Sequence, residues 1–496
     1  MTDGEAPARR PGQDGLTDEQ RRIVAWEDGP LVVIAGAGTG KTRVIVERVR
    51  RLLETKGGLA AGGGAASPPA AADPLALPAE AAAADPDDPF AGPLLPEQVL
   101  VLTYNVKAAK ELADRLEKAL GPAVRARLTV ANFHSFCHRI LVESAPDAGL
   151  PSMPDVLDGV GQLLLLRDLR PGLPLLYYAG RGNPYLGLDR FVGFINRAKD
   201  ELVSPDDFEA FVESEERAFQ ERYRPYERAL EQLEALGSFD RGRTDTRGAY
   251  ATFRATERRA AAGDPTADPD FEKVEKTAAR EARRAVGGTG AAIPRGRLTD
   301  EQREQADHLA ATYVADGAAL EVLRLSEIAL VYRAYEAERE QRGALDFGEQ
   351  VAAVVRLFRE RPNVLRRWQR RFRYLLIDEF QDANVAQVEL IELLGRTPDR
   401  PDNVMVVGDD DQSIYRFRGA SYAAFVEFDR RFSDPPAHDP DGPAPGAPAR
   451  LSIVENFRSR PPILVVANRL ISRNELRYMR DKRLAPHRDG IGAPSV

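Results

Sequence analysis

Residues 35–42 read AGAGTGKT, with glycines at every second position followed by a lysine and a hydroxyl residue. Glycines at 36, 38 and 40 allow successive backbone N–H groups to turn inward on an anion, which suits phosphate oxygens at the start of a helix. Lys41 offers a positive charge to β- and γ-phosphate oxygens, and Thr42 offers a hydroxyl ligand to magnesium. This is the broader form of the phosphate loop, with Ala35 where the strict form has glycine. Ala35, Gly36, Ala37, Gly38, Thr39, Gly40, Lys41, Thr42 and Arg43 are therefore candidate nucleotide-binding residues, and ATP and Mg2+ the implied cofactors. The alternative is a glycine-rich turn that holds no nucleotide, which the strand before it and the helix after it disfavour.

A second group sits far downstream. IDEFQD ends an apolar run with two adjacent carboxylates, Asp378 and Glu379. A phosphate-loop ATPase places a magnesium-holding aspartate and a water-activating glutamate at such a position. Taken alone, an acidic pair after a strand is more often a solvated strand end; beside the phosphate loop, the catalytic reading is favoured. In VVGDDDQSIYRFRGA, Gln412 both donates and accepts, which suits sensing of a γ-phosphate. Tyr415, Arg416, Phe417 and Arg418 then interleave aromatic rings with cations, a combination that stacks bases and holds phosphates in single-strand grooves. A core aromatic flanked by surface arginines has the same appearance.

The elements that must position these residues are legible from pattern. LTDEQRRIV opens a helix, with Thr17 as cap and Gln20 three residues on, the capping-box spacing. LVVIAGAGTGKTRVIVERVRRLL passes from a β-branched run through the loop into helical spacing. QVLVLTY and RLTVANFHSF repeat the strand-to-helix step, and RYLLIDEF and DNVMVVGD are short apolar runs ending in carboxylates. Strands alternating with helices predict a parallel α/β sheet. Residues from about 138 to 345 are mostly helical in pattern, with a proline-marked start at SPDDF.

Composition bounds the rest. With 496 residues, the chain is long enough for two or three cores. The 43% hydrophobic and 29% charged shares are those of globular protein. A net charge of -8 excludes a uniformly basic footprint, so any DNA contact must be a local groove. One cysteine, Cys137, and five scattered histidines exclude a disulfide framework and a Cys/His zinc pattern. No apolar run is long enough to span a membrane and the start is not signal-like, so we expect a cytoplasmic protein with no membrane partner.

Together the motifs carry a resemblance. The phosphate loop, LTYNVKAAKELADRL, NFHSFCHRIL, LLIDEFQDAN, VVGDDDQSIYRFRGA and ENFRS follow one another as in UvrD/Rep-like superfamily 1 DNA helicases, and LTDEQRRIV is similar to that group's adenine-recognising Q motif. DEFQD with GDDDQSIYRFRGA is far more specific than the loop alone. The resemblance implies two RecA-like motor domains with helical insertions and ATP between them. It implies that Gln20 reads adenine, that Phe457 stacks on the base, and that Arg458 reaches the γ-phosphate from the second motor domain. It also implies that Lys41, Thr42, Asp378 and Glu379 perform the phosphate chemistry and that Gln412 couples γ-phosphate to movement. Along the DNA path it points to Tyr104, Lys107, His134, Ser135, Phe417 and Arg418, with Phe417 where many relatives have tryptophan and Val106 where a polar residue is usual.

The resulting expectation is an α/β, RecA-like phosphate-loop motor domain over 16–137 and 346–430, after a disordered tail over 1–15 and with a disordered insertion at 57–96. A helical subdomain would occupy 138–345, with a loose segment at about 236–297. A linker over 431–450 would lead to the beginning of a second motor domain over 451–496. By resemblance, the function is ATP-driven 3′ to 5′ movement on single-stranded DNA and unwinding of 3′-tailed duplexes, in repair or recombination. Beyond Arg458, no later motif supplies the further second-domain arginine that neutralises transition-state charge, so we expect a truncated chain, or one working with a segment that completes the second motor domain. The alternative is a non-catalytic ATP- and DNA-binding module.

Overall fold

The computed structural model describes residues 15–57, 90, 92–175, 178, 187–235, 318–398, 400–412, 423–433, 447–474 and 477–487. The loose segment expected at 236–297 and nearly all of the tail and of the 57–96 insertion lie outside them.

Six strands form one parallel sheet: β1 (Leu31–Ala35), β2 (Val99–Thr103), β3 (Thr129–Asn132), β4 (Tyr374–Ile377), β5 (Val404–Gly408) and β6 (Ala449–Ile453), in the spatial order β3-β2-β4-β5-β1-β6. β1, β2, β4 and β5 are buried at every residue, the pattern of strands covered on both faces. Alternation divides them. Leu31, Val33, Val99, Val101, Leu376, Met405 and Val407 share a core with helices α1 (Asp18–Val24), α2 (Lys41–Thr55) and α3 (Val106–Leu120), through Ile23, Val44, Ile45, Val49, Leu112 and Leu116. The intervening residues, such as Val32, Ile34, Leu100 and Leu102, are also buried. Each strand thus emerges from a dry interior at its carboxyl end, where the polar motifs follow.

Two boundaries differ from the sequence expectation. The chain divides into one unit of Met1–Pro154, Asp200–Leu202 and Gly348–Val496, and a second of Asp155–Lys199 and Val203–Phe347. The inserted unit therefore begins at Asp155 rather than near 138. The reason is helix α4 (Phe133–Glu143), which buries Phe136, Cys137, Ile140 and Leu141. Phe136 packs edge-on at 5.8 Å against both Trp368 and Phe372 of the first unit. The second difference is larger. Residues from 451 were expected to open another domain, yet β6 pairs with β1 from Leu31↔Ala449 to Ala35↔Ile453 and completes the first sheet.

The inserted unit is helical, built on Gly159–Leu169, Leu188–Asp200, Pro205–Ala235 and Ala318–Gln341. Its core includes Leu165, Phe191, Ile195, Val212, Ile328 and Tyr335. Lys199, almost fully buried, pairs with Asp346 and Glu336 at 2.6 Å each, and the Tyr335 hydroxyl donates to Asp346 at 2.8 Å. Removing one partner from such a group would leave an uncompensated buried charge, which makes each of them costly to replace alone. Among the described residues, no helix is long and apolar enough to cross a membrane.

Both tryptophans, Trp26 and Trp368, belong to the first unit, so their fluorescence reports its unfolding. If β6 belongs to this core, Ile453→Ala should destabilise the unit by roughly 2 to 4 kcal/mol in urea titrations. Val465→Ala, on the exposed face of the helix Pro461–Ile471, should change it by less than about 0.5 kcal/mol. Equal, negligible effects would detach β6 from the sheet core.

Candidate active site

The phosphate loop is held by its carbonyls. Gly36 O accepts from Thr39 Oγ1 at 2.8 Å, Gly38 O from Phe457 N at 2.9 Å, and Thr39 O from Gln20 Nε2 at 2.9 Å, while Ala37 O accepts from Asn456 Nδ2. Three consecutive carbonyls, of Ala37, Gly38 and Thr39, are thereby turned into the framework, and that of Gly36 is engaged within the loop. Gly38 and Gly40 take positive φ values of 73° and 88°, which bends the loop back on itself. Both are crowded: a Cβ on Gly38 would lie 2.5 Å from Arg458 Cβ, and one on Gly40 would lie 3.0 Å from Gln20 Nε2. Gly40 caps α2 without a side-chain acceptor, and the N–H groups of a helix's first turn have no intrahelical acceptor. Those donors and the helix dipole form a site for an anion.

Lys41 extends from this turn to Glu379, with Nζ 2.6 Å from Oε2. Glu379 has φ 54°, an uncommon value for a residue with a Cβ and one that concentrates at functional sites. Its backbone N–H donates to Asp378 Oδ1 at 2.9 Å, and Gln381 Nε2 donates to the same Oε2 at 2.7 Å. Asp378 is buried beside it. Burial, and then the Glu379 charge, push its carboxyl up to about 6, with Lys41 pulling the other way.

Gln381 also accepts from Asp409 N at 2.9 Å, joining the β4 end to the β5 end. Gln412 donates through Nε2 to Asp409 Oδ2. The acidic groups of Asp409, Asp410 and Asp411 lie within 4.8 Å of one another, which resembles a metal cluster. Cations of the chain already hold them: Lys482 reaches Asp409 at 2.5 Å and Asp411 at 3.0 Å and also contacts Asp410, and Arg477 grips Asp411 with two bonds of 2.7 Å.

Phe457 and Arg458 follow β6 directly, so they approach the loop from the sheet that carries it, not from a second motor domain as the resemblance implied. Asn456 fixes this turn, its Oδ1 accepting from Arg458 N at 3.0 Å and Ser459 N at 2.6 Å. The His487 ring lies 4.3 Å from that of Phe457, and its Nδ1 is 2.5 Å from Glu455. Gln20 is buried, closing the capping box with Thr17 as the spacing predicted. In this structure its side-chain amide fastens the loop.

The candidate DNA residues fall at neighbouring strand ends. β2 and β3 run in register up to Thr103↔Asn132, and Asn105 and Asn132 cap the helices that follow. Tyr104 and Lys107 therefore emerge beside His134 and Ser135, with Lys107 and Ser135 exposed. Burial holds the His134 imidazole below its ordinary range. Val106 is 71% exposed, so its apolar side chain serves no core. Tyr415, Arg416, Phe417 and Arg418 lie outside the described residues. Sequence reasoning missed Gln381, Asn456, Arg477 and Lys482. The first two sit inside quoted motifs, as the Gln of DEFQD and the Asn of ENFRS, whereas the last two have no motif to mark them.

A profile of the UvrD/REP helicase N-terminal domain matches residues 16–61 and 91–433, spanning the loop, the acidic strand end and Gln412. The chain belongs to the UvrD/Rep helicase family. It is 23% identical over 464 residues to the ATP-dependent DNA helicase PcrA of Leuconostoc citreum, covering 94% of this chain and 40% of that protein. It is 25% identical over 482 residues to the putative ATP-dependent DNA helicase YjcD of Bacillus subtilis, covering 97% and 41%. DNA helicase II of Haemophilus influenzae is 25% identical over 465 residues, covering 93% and 41%. The chain thus spans about two fifths of the length of the curated relatives it matches.

The position of Asp378 in this UvrD/Rep-type site sets a pH dependence. An acid raised on folding favours the folded state while protonated; that contribution is whole below about pH 4 and is lost as pH rises through about 6. In EDTA and without nucleotide, Asp378→Asn should therefore gain roughly 2 to 3 kcal/mol relative to the wild type between pH 4 and pH 7.5. A pH-independent difference in unfolding free energy would show that Asp378 is not the raised group.

Proposed function

We propose that this chain is the ATP-binding part of a DNA-dependent ATPase that moves 3′ to 5′ along single-stranded DNA. The observation that carries the reading is the convergence of a phosphate-type loop, with its carbonyls tied back, on Lys41, Asp378 and Glu379. The donor set fits magnesium: Thr42 opens α2, and the Asp378 carboxyl is buried where a cation would favour its ionised form. Thr42 and Asp378 would hold the ion, which when bound supplies positive charge to the phosphate oxygens.

The residues of the chain do the rest. Lys41 exchanges Glu379 for the β- and γ-phosphates, and N–H groups at the start of α2 donate to the remaining phosphate oxygens. Glu379, released from Lys41 but still held by Gln381, orients the attacking water and takes its proton. Gln412 reports the γ-phosphate from the β5 end, while Phe457 and Arg458 reach the nucleotide from the turn after β6. Gln20, whose amide also holds Thr39 O, reads adenine. Tyr104 and His134 receive bases, and Lys107 and Ser135 hold the backbone, at two adjacent strand ends. By the family resemblance, Phe417 and Arg418 are also proposed to contact DNA.

Lys41→Ala should weaken binding of a non-hydrolysable ATP analogue by about tenfold or more, as expected when a charge-assisted phosphate contact is lost. Glu379→Gln should bind at least as well as the wild type, because Lys41 no longer has a carboxylate to leave. Its turnover with single-stranded DNA should fall by a factor on the order of a hundred or more. Calorimetry and phosphate release measure the two effects. Equal loss of binding in both variants would reverse the assignment of roles, and turnover indifferent to single-stranded DNA would remove the DNA part of the proposal.

A further inference from the structure

We infer that Lys482 and Arg477, which follow the helix Pro461–Ile471, are positioning residues that set Gln412 and thereby the site's preference for a triphosphate over a diphosphate. The inference rests on the ATPase reading and extends it to a segment that no motif marks.

Three consecutive aspartates after a central strand are a local conflict, since Asp409 and Asp410 are buried and their like charges repel. A loop with this charge holds one shape only if counter-cations fix it. Lys482 does this from inside: it is 3% exposed, with Nζ 2.5 Å from Asp409 and 3.0 Å from Asp411 and in contact with Asp410. Arg477 fixes the third carboxylate with two parallel bonds and ties its own segment by donating to Arg480 O at 3.0 Å and Lys482 O at 3.1 Å. Met479 N adds a bond to Asp410 Oδ2 at 2.9 Å.

The clamp meets the chemistry at Asp409. One oxygen takes Lys482 and the other takes Gln412 Nε2, so the direction of the Gln412 amide depends on a carboxylate that the lysine holds. Asp409 N donates to Gln381, and Gln381 donates to Glu379, the residue paired with Lys41. A continuous path thus runs from Lys482 to the phosphate loop. The same segment lies against the loop: a Cβ on Gly36 would fall 2.2 Å from Leu484 Cδ2. A staple that served folding alone would need none of these links to Gln412.

The test uses the full chain and its Lys482→Met, Lys482→Arg, Arg477→Met and Gln412→Ala variants. Fluorescent ADP and a fluorescent non-hydrolysable ATP analogue are titrated with magnesium present, and amide exchange is followed in residues 404–412. Lys482→Met should lose triphosphate preference by roughly fivefold or more, to the level of Gln412→Ala, with ADP affinity kept within about twofold. Lys482→Arg should retain the preference, and Arg477→Met should lose part of it, giving a readout if Lys482→Met does not fold. Exchange at Asp411 and Gln412 should quicken by about tenfold in Lys482→Met as the loop loosens. Unchanged preference and exchange would overturn the inference, as would parallel loss of both nucleotides with Arg no better than Met at 482. If the wild type binds neither nucleotide, the ATPase reading fails by itself; unchanged exchange in Lys482→Met would then overturn the clamp, and faster exchange would uphold it.

Discussion

Lys41 and Glu379 meet at 2.6 Å although 338 residues separate them in the chain. That contact constrains the whole first unit. It requires β1 and β4 to end level with each other with β5 between them, and Glu379 to stand in a left-handed backbone conformation at its strand end. Such a conformation costs on the order of 1 to 3 kcal/mol and persists only where surroundings over-determine it. Here Asp378, Gln381 and Lys41 do so together. The pair is partly open to solvent and so contributes little to stability. It is better understood as an exchangeable contact: a carboxylate keeps the lysine extended toward the place where phosphate would lie.

The loop beneath that pair is supported from both ends of the unit. Gln20 comes from the helix before β1, and Asn456 and Phe457 come from the turn after β6. Asn456, Phe457 and Gln20 take the carbonyls of Ala37, Gly38 and Thr39, and Thr39 itself takes that of Gly36, so the turn is held in one shape from both sides. Because β6 pairs with β1, the turn that follows it brings Asn456 within reach of Ala37.

Much of this was legible in the sequence because β-branched runs ending in glycine or acid leave few alternatives. β1, β2, β4 and β5 and the helices after β1, β2 and β3 lie where apolar period puts them, and α1 starts where Thr17 and Gln20 put its cap. The start of the inserted unit was not legible: apolar residues of α4 at helical spacing say that it buries a face, but not against which core. The strand pattern of β6 was legible but its place in the first sheet was not, because the composition of the proline- and glycine-rich stretch before it suits a link between domains as well as a long connection within one. Lys482 was invisible for a different reason. A lysine among arginines reads as a solvated charge until three aspartates distant in sequence are folded around it.

The central claim is that the Lys41–Glu379 pair holds the place of a nucleotide's phosphates. A crystal structure of the chain with magnesium and a non-hydrolysable ATP analogue tests it most directly. The account predicts phosphates within the loop, Lys41 Nζ moved from Glu379 to their oxygens, and Glu379 still bonded to Gln381 and facing a water in line with the γ-phosphate. Nucleotide bound with the Lys41–Glu379 contact intact, or bound away from residues 36 to 42, would contradict it.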